Sequence, residues 1–364
     1  MTDKTKILIA VGGTGGHVFP GYNLSKHLAE QKYSLELVTD IRGFKYLNNV
    51  RDLDISILPS SPIITNNIFK FVYSFIIIFY SILRAIFFLI FKRPSVIFGM
   101  GGYASFPLCI AARILKIKCI IYENNLIIGK ANKYLLPFAN KILVSVKDVK
   151  GIPLKYQKKV FPIGNIIKKE IINISKNEKS STDKKINILI LGGSQAAKIF
   201  AETLPKIFQD CLLQGVSLKI FQQCLPTQNA QLKSFYDSIN IEFEIFNFSN
   251  NLINYFSKVD LAITRSGSSM LAELTNASIP FISVPLPSSA ENHQLKNAIY
   301  YKEKNFGFLI EEKELKDKLP DLIKNFYKNK SFLNKIKQCQ SQFSDKNVYN
   351  NINQILKDLL NEKN

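Results

Sequence analysis

Gly12-Gly13-Thr14-Gly15-Gly16-His17 places a candidate base directly after four glycines. Glycine lets a backbone turn tightly and approach a ligand closely, and the N–H groups that open the next helix attract anions. A neutral imidazole there can take a proton from an attacking hydroxyl. His17 is one of 3 histidines in 364 residues. Two further glycine turns, Gly99-Met100-Gly101-Gly102-Tyr103 and Gly192-Gly193-Ser194, also follow short apolar runs. Together they suit a phosphate-bearing ligand and a hydroxyl to be activated. They do not suit a dinucleotide: the first and third lack the GxGxxG spacing, and Asp40 only approaches the acidic ribose clamp. No GxxxxGK[ST] loop is present, which excludes a P-loop NTPase. Asp52-Leu53-Asp54 has the form of a DxD metal motif but precedes a strand-like run instead of following one. It reads as a solvated loop, and no metal site is expected. Five scattered cysteines without a CxxC pair argue against zinc or a disulfide framework and suit a reducing cytoplasm.

The elements that must position these residues alternate in kind. KILIAV (6–11), LELVTD (35–40), 54–58, VIFGM (96–100) and CIIYE (119–123) read as strands, with helical runs from about His17 to Gln31 and on to about Lys116. After FPIGN (161–165) and a polar loop at 175–185, the plan repeats with INILIL, SLKIFQ, IEFEIF, LAITR and PFISV. Strands alternating with longer helical runs predict an α/β fold of two Rossmann-like, doubly wound parallel-sheet domains, with ligands at the carboxyl ends of the strands and the domains facing across a cleft. The expected N-terminal domain is 1–163 and the C-terminal domain 164–342, with a final helix over about 343–364 packing back on the first.

The formal net charge is +20, from 48 basic and 28 acidic residues. That balance favours anionic partners. Six of the basic residues are arginine, and no nucleic-acid-binding motif appears, so an anionic membrane surface or a phosphorylated substrate is expected and nucleic acid is not. The N-terminal run MTDKTKILIAVGG goes straight into a strand, so no secretory signal is expected.

Between Lys70 and Lys92 only Ser74, Ser81 and Arg84 are neither aliphatic nor aromatic. Wound as a helix, Lys70, Ser74, Ser81, Arg84 and Lys92 fall within about 40° of one line. The rest is a wide apolar face. The segment connects two strands of one sheet, so a single crossing of the bilayer would put the glycine loops on opposite sides, and a membrane span is not expected. It is expected instead to be a crossover helix whose Phe71, Phe75, Ile78, Phe79, Ile82 and Phe87 meet a membrane surface.

The motifs GGTGGHVFPG (12–21), GMGGYASFP (99–107), Glu123-Asn124-Asn125 with Asn132, Gly164-Asn165, GGSQ (192–195), Arg265-Ser266-Gly267 with Glu273, and HQxxNA (293–298) stand in one order. In this the chain resembles the MurG family of bacterial glycosyltransferases (family 28), which add N-acetylglucosamine from UDP-GlcNAc to lipid I, giving lipid II. The resemblance implies a GT-B fold and an inverting hexosyltransferase with no tightly bound cofactor, a free divalent cation at most stimulating it. It implies that Thr14, Gly15 and Gly16 approach donor and acceptor, that Asn125 and Gln294 lie at the sugar, that Asn297 is among the UDP-GlcNAc-binding residues, and that Lys168 and Ser194 serve the pyrophosphate. Ser249 offers backbone to the uracil. Arg265 and the run Ser268, Ser269, Met270, Leu271, Ala272 and Glu273 hold the nucleotide, with Glu273 on the ribose. Gly101, Gly102, Tyr103, Glu123 and Asn132 form the acceptor side, and His17 is the candidate base. It further implies a peripheral enzyme on the cytoplasmic face of the plasma membrane, with lipid I in the inner leaflet and other cell-wall synthesis proteins as partners.

Four positions depart from the family pattern. Lys168 stands near the usual arginine, Tyr122 replaces the histidine before Glu-x-Asn, GGSQAA brings in Ala196, and Ala201 replaces an asparagine. These changes keep a second reading open, a catalytically weakened homologue that binds lipid-linked precursor. Another GT-B transferase on a lipid-linked acceptor is a third. The fold alone also permits a nicotinamide oxidoreductase.

Overall fold

The computed structural model describes residues 5–60, 68–174, 185–193, 198–247, 249 and 251–362. Met1–Ile167 with Asp345–Asn364 form one compact unit, and Lys168–Ser344 form another.

The first unit opens with β1 (Lys6–Ala10), α1 (Gly15–Glu30), β2 (Ser34–Thr39), α2 (Ile41–Phe44) and β3 (Asp54–Ile57). It continues with α3 (Ile68–Lys92), β4 (Val96–Gly99), α4 (Ser105–Ile114), β5 (Lys118–Glu123), α5 (Lys130–Leu135), β6 (Lys141–Val144) and β7 (Val160–Pro162). All the strands are parallel, in the order β3-β2-β1-β4-β5-β6-β7. The runs KILIA, VIFG and KILV are apolar and buried after the leading lysines because helices cover both faces. From β1 the chain moves outward to β3, and α3 carries it back across to β4. Ala85 and Leu89 of α3, Leu108 and Ala111 of α4 and Leu135 of α5 then share one core with Leu8, Ile97, Ile121 and Ile142.

The second unit begins with α6 (Lys169–Ile172), β8 (Ile186–Leu191), α7 (Lys198–Leu213), β9 (Leu218–Gln223), α8 (Asn229–Ser238), β10 (Glu242–Phe246) and α9 (Ile253–Phe256). There follow β11 (Leu261–Thr264), α10 (Ser268–Asn276), β12 (Phe281–Ser283), α11 (His293–Glu303), β13 (Gly307–Leu309), α12 (Leu315–Lys328) and α13 (Lys330–Ser341). Its parallel sheet runs β10-β9-β8-β11-β12-β13, the same reversal of direction as in the first unit. Most of the polar loop expected at 175–185 lies outside the described residues.

The last helix, α14 (Val348–Asn361), belongs to the first unit. Its Val348, Ile352, Leu356 and Leu359 are buried at spacings of one helical face. Lys118 Nζ donates to the carbonyls of Leu359 (2.8 Å) and Glu362 (2.6 Å), capping the helix end with positive charge. The His27 ring lies 4.5 Å from that of Tyr349. Where the chain leaves and re-enters this unit, Asp345 Oδ1 accepts from Asn165 N–H at 2.8 Å and Tyr349 Oη donates to Ile167 O at 2.6 Å. Gly164 there has φ +101°, and a Cβ on it would stand 2.6 Å from Asp345 Oδ1.

Candidate active site

In an open parallel sheet the crevice for ligand lies where the strand order reverses. In the first unit that point is between β1 and β4, whose carboxyl ends carry the first two glycine loops. Thr14, in extended backbone with φ −120°, precedes α1, which starts at Gly15. Thr14 and Gly16 are exposed, Gly15 is buried and His17 is half-buried. The loops interlock. A Cβ on Gly12 would stand 2.4 Å from Ala104 Cβ, and one on Gly102 would stand 2.6 Å from Gly12 O. Gly101 has φ +87°, and a Cβ on it would come 2.9 Å from His17 Cε1 and Nδ1. The second loop therefore needs glycine to seat the imidazole, and His17 is held from β4 as well as from its own helix. Tyr103 is half-buried on the same loop. Asp40, which resembled a ribose clamp in sequence, instead accepts from Gly43 N–H at 2.8 Å, Gly13 N–H at 3.4 Å and Ser60 Oγ at 2.9 Å, with Arg42 alongside. It caps α2 and ties the first glycine loop. An acidic residue three positions before a helical N–H was the signal for that role.

Glu123 ends β5 and is buried. Its Oε1 accepts from Asn125 N–H and Nδ2, both at 3.0 Å, and its Oε2 from Gly129 N–H at 2.8 Å and Asn132 Nδ2 at 3.0 Å. Four donors occupy the carboxylate. Glu123 and the buried Asn132 therefore organise the site from within, whereas the expectation put both against the acceptor; Asn125 is half-buried. Asn124, a motif residue to which the sequence assigned no role, donates from Nδ2 to Gly16 O at 2.8 Å and links β5 to the start of α1. Tyr122 points elsewhere: its hydroxyl donates to Gly164 O (3.3 Å) and accepts from Ile166 N–H (3.2 Å). Burial pushes its phenol well above the ordinary tyrosine range, and the hydroxyl is engaged by backbone of the 164–166 turn.

The reversal in the second unit lies between β8 and β11. Gly192-Gly193 follows β8; Ser194 and Ala196 lie outside the described residues, and Ala201 packs on the core of this unit. Helix α10 opens at Ser268 after Gly267 in extended backbone. The N–H groups of Ser268, Ser269 and Met270 come before the helix's own ladder, whereas Leu271 N–H already donates to Gly267 O at 3.0 Å. Leu271 and Ala272 are fully buried, so their side chains belong to the core and not to a ligand. Glu273 is half-buried one turn along. Burial pushes its carboxyl up to about 7, and the Lys168 charge pulls the other way. Lys168 immediately precedes α6, which packs against α10.

Gln294 Oε1 accepts from Ser266 N–H at 3.2 Å and Leu286 N–H at 2.9 Å. Both partners are donors, which fixes the amide orientation and leaves Nε2 to donate to a ligand. Asn297 is buried and donates to Ser266 O at 3.2 Å, supporting the same turn instead of meeting a sugar. Arg265, expected among the nucleotide contacts, is directed inward to Glu312, Val284 O and Pro285 O. Ser249 is half-buried, and its Oγ accepts from Asn251 N–H at 3.2 Å.

Helix α3 divides its polar stripe between the interior and the surface. Ser74 and Ser81 are each 1% exposed and face inward with Ala85 and Leu89, where α3 packs on α4. Small side chains let the two helices approach closely. Arg84 is exposed, while Lys92 reaches Glu36 of β2 at 2.8 Å. The outer face carries Tyr73, Phe75, Ile76, Phe79 (56% exposed), Tyr80, Leu83, Phe87 (67%) and Phe91 (76%). Of the predicted contact residues, Phe75, Phe79 and Phe87 are on that face. Ile78 and Ile82 are half-buried beside it, and the side chain of Phe71 lies outside the described residues. Among the described residues, Val72–Lys92 is one helix long and apolar enough to cross a membrane. Both its ends return to the same sheet.

Residues 7–144 match the glycosyltransferase family 28 N-terminal domain and 187–352 the glycosyltransferase family 28 C-terminal domain. The chain is 35% identical over 358 residues, 98% of its length and 99% of the relative's, to a Pelagibacter ubique protein. That relative is named UDP-N-acetylglucosamine--N-acetylmuramyl-(pentapeptide) pyrophosphoryl-undecaprenol N-acetylglucosamine transferase. A Rickettsia felis protein of the same name is 37% identical over 88% of this chain and 91% of its own. Among solved structures, Acinetobacter baumannii MurG superposes with a TM-score of 0.75 at 22% identity, over 97% of this chain and 99% of that one. With near end-to-end matches of this kind and both domains in place, the chain belongs to glycosyltransferase family 28, in its MurG branch.

Proposed function

We propose that the protein moves N-acetylglucosamine from UDP-GlcNAc to the C4 hydroxyl of the N-acetylmuramyl sugar of lipid I, with inversion, making lipid II for peptidoglycan. The observation that carries this reading is the pairing of two reversal points. One holds a histidine between interlocked glycine loops, and the other holds a helix N-terminus beside a lysine and a glutamate. They occur in a chain that aligns along its length with transferases of that name.

Loss of UDP gathers negative charge on a diphosphate. In this reading the leading N–H groups of α10 and the Lys168 ammonium stabilise it. Lysine supplies charge but not the two-pronged grip of arginine, so orientation of the diphosphate rests more on the backbone. Glu273 accepts from the ribose hydroxyls, Ser249 offers backbone to the uracil, and Gln294 Nε2 donates to a sugar oxygen. In the first unit His17 takes the proton of the attacking hydroxyl, and Glu123 keeps Asn125 and Asn132 in place around it. The reaction proposed here uses no tightly bound metal; a free divalent cation would act on the diphosphate.

The exposed aromatic face of α3 is proposed to rest on the cytoplasmic surface of the plasma membrane. There apolar burial and the net charge of +20 both favour an anionic leaflet. Purified protein supplied with UDP-GlcNAc and a soluble lipid I analogue should release UDP only when both are present. UDP binding without acceptor-dependent release would leave the precursor-binding homologue as the better reading.

A further inference from the structure

Arg265 sits where four strands of the second sheet end. Its backbone N–H donates to Leu191 O at the end of β8 (3.3 Å). Its Nη1 donates to Val284 O (3.3 Å) and Pro285 O (3.2 Å) beyond β12, and its Nη2 to Glu312 Oε2 (2.6 Å) beyond β13. The guanidinium carbon lies 5.1 Å from the Phe200 ring centroid of α7. The arginine is 9% exposed and the side chain of Glu312 27% exposed. Glu312 thus supplies the negative charge that makes this nearly buried guanidinium tenable, and a planar fork can make all these contacts at once.

Arg265 is followed at once by the turn that launches α10, and the rest of that turn is also held. Ser266 N–H is taken by Gln294 and Ser266 O by Asn297. We infer that Glu312 is a positioning residue for the nucleotide. Through Arg265 it fixes the Arg265–Ser268 turn, and so the direction in which the first N–H groups of α10 and Glu273 face a nucleoside diphosphate. The inference rests on the proposed UDP-GlcNAc donor.

A buried anchor with only a stabilising role would lower the melting temperature and leave the kinetic constants alone. A positioning role makes a different prediction. Glu312→Gln keeps the size and one acceptor but removes the charge. It should raise donor KM and the Kd for UDP about tenfold, with acceptor KM little changed and kcat within about threefold. Arg265→Lys keeps the charge but loses the fork to Val284 and Pro285, and it should shift the same two constants the same way. It also serves if Glu312→Gln folds poorly. UDP titration of the parent separates the two failures. A parent that binds no UDP refutes the donor reading and this inference with it. A parent that binds, beside folded variants with donor KM and UDP Kd within about twofold of it, overturns the positioning role alone.

Discussion

The ribose contact proposed for Glu273 would couple nucleotide binding to pH. Burial pushes its carboxyl up to about 7, so the free protein takes up a proton there that the unfolded chain takes up only in the ordinary carboxylate range. This group's contribution to stability is therefore full at acid pH and lost as pH rises through about 7. Ribose hydroxyls donate to a carboxylate and favour its ionised form. UDP affinity should accordingly fall as pH drops below about 7, by at most about tenfold per unit, with a proton released on binding. Calorimetry in buffers of differing ionisation enthalpy measures that proton directly, and Glu273→Gln should flatten the profile. At this scale the sequence named turns at strand ends but not the direction of each side chain. Arg265, Asn297, Leu271 and Ala272 lie in or beside recognisable motifs, yet they face the interior because the carbonyls and core they serve come from strands distant in sequence. Glu123 was legible as a motif residue, but its role as a hub required Gly129 and Asn132 to fold back on it.

Helix α3 illustrates what periodicity can and cannot specify. The pattern of Ser74, Ser81, Arg84 and Lys92 established a helix and a narrow polar line, and topology placed it as the crossover between β3 and β4. Which side faced the protein depended on α4, whose close approach favours serine and alanine in the contact. The aromatic side chains were thereby left outside. Phe79→Ser with Phe87→Ser removes two of the largest exposed side chains without touching the core. The double variant should leave the melting temperature within a few degrees and turnover on a soluble acceptor unchanged, while losing most sedimentation with anionic liposomes. Unaltered sedimentation would place the membrane contact elsewhere. The strands β6 (KILV), β7 (VFP) and β13 (GFL) were not read from the sequence, although they are no shorter than β11 and β12, which were.

For the molecule as a whole, the two sheets repeat one plan; the sequence pointed to the carboxyl ends of the strands as the expected ligand side, while the reversal in each strand order is seen only in the structure. The passage between the units was visible in sequence as FPIGN (161–165) and the polar stretch after it. Its fastening was not, because Asp345 and Tyr349 come from 180 and 182 residues further on, against Asn165 and Ile167. Asp345 is buried and accepts from both the backbone and the side chain of Asn165. Asp345→Ala leaves those donors in a dry site, which should lower stability by about 1–3 kcal/mol, read by urea unfolding of the intact chain. A change below about 0.5 kcal/mol would mean that water or neighbouring groups replace the carboxylate. Incubating isotopically labelled UDP-GlcNAc, whose sugar is α-linked, with a lipid I analogue should give a product heavier by one N-acetylhexosamine and joined β to the C4 oxygen, by mass and by anomeric coupling. An α linkage, or no sugar–lipid product from protein that still binds UDP, would contradict the account.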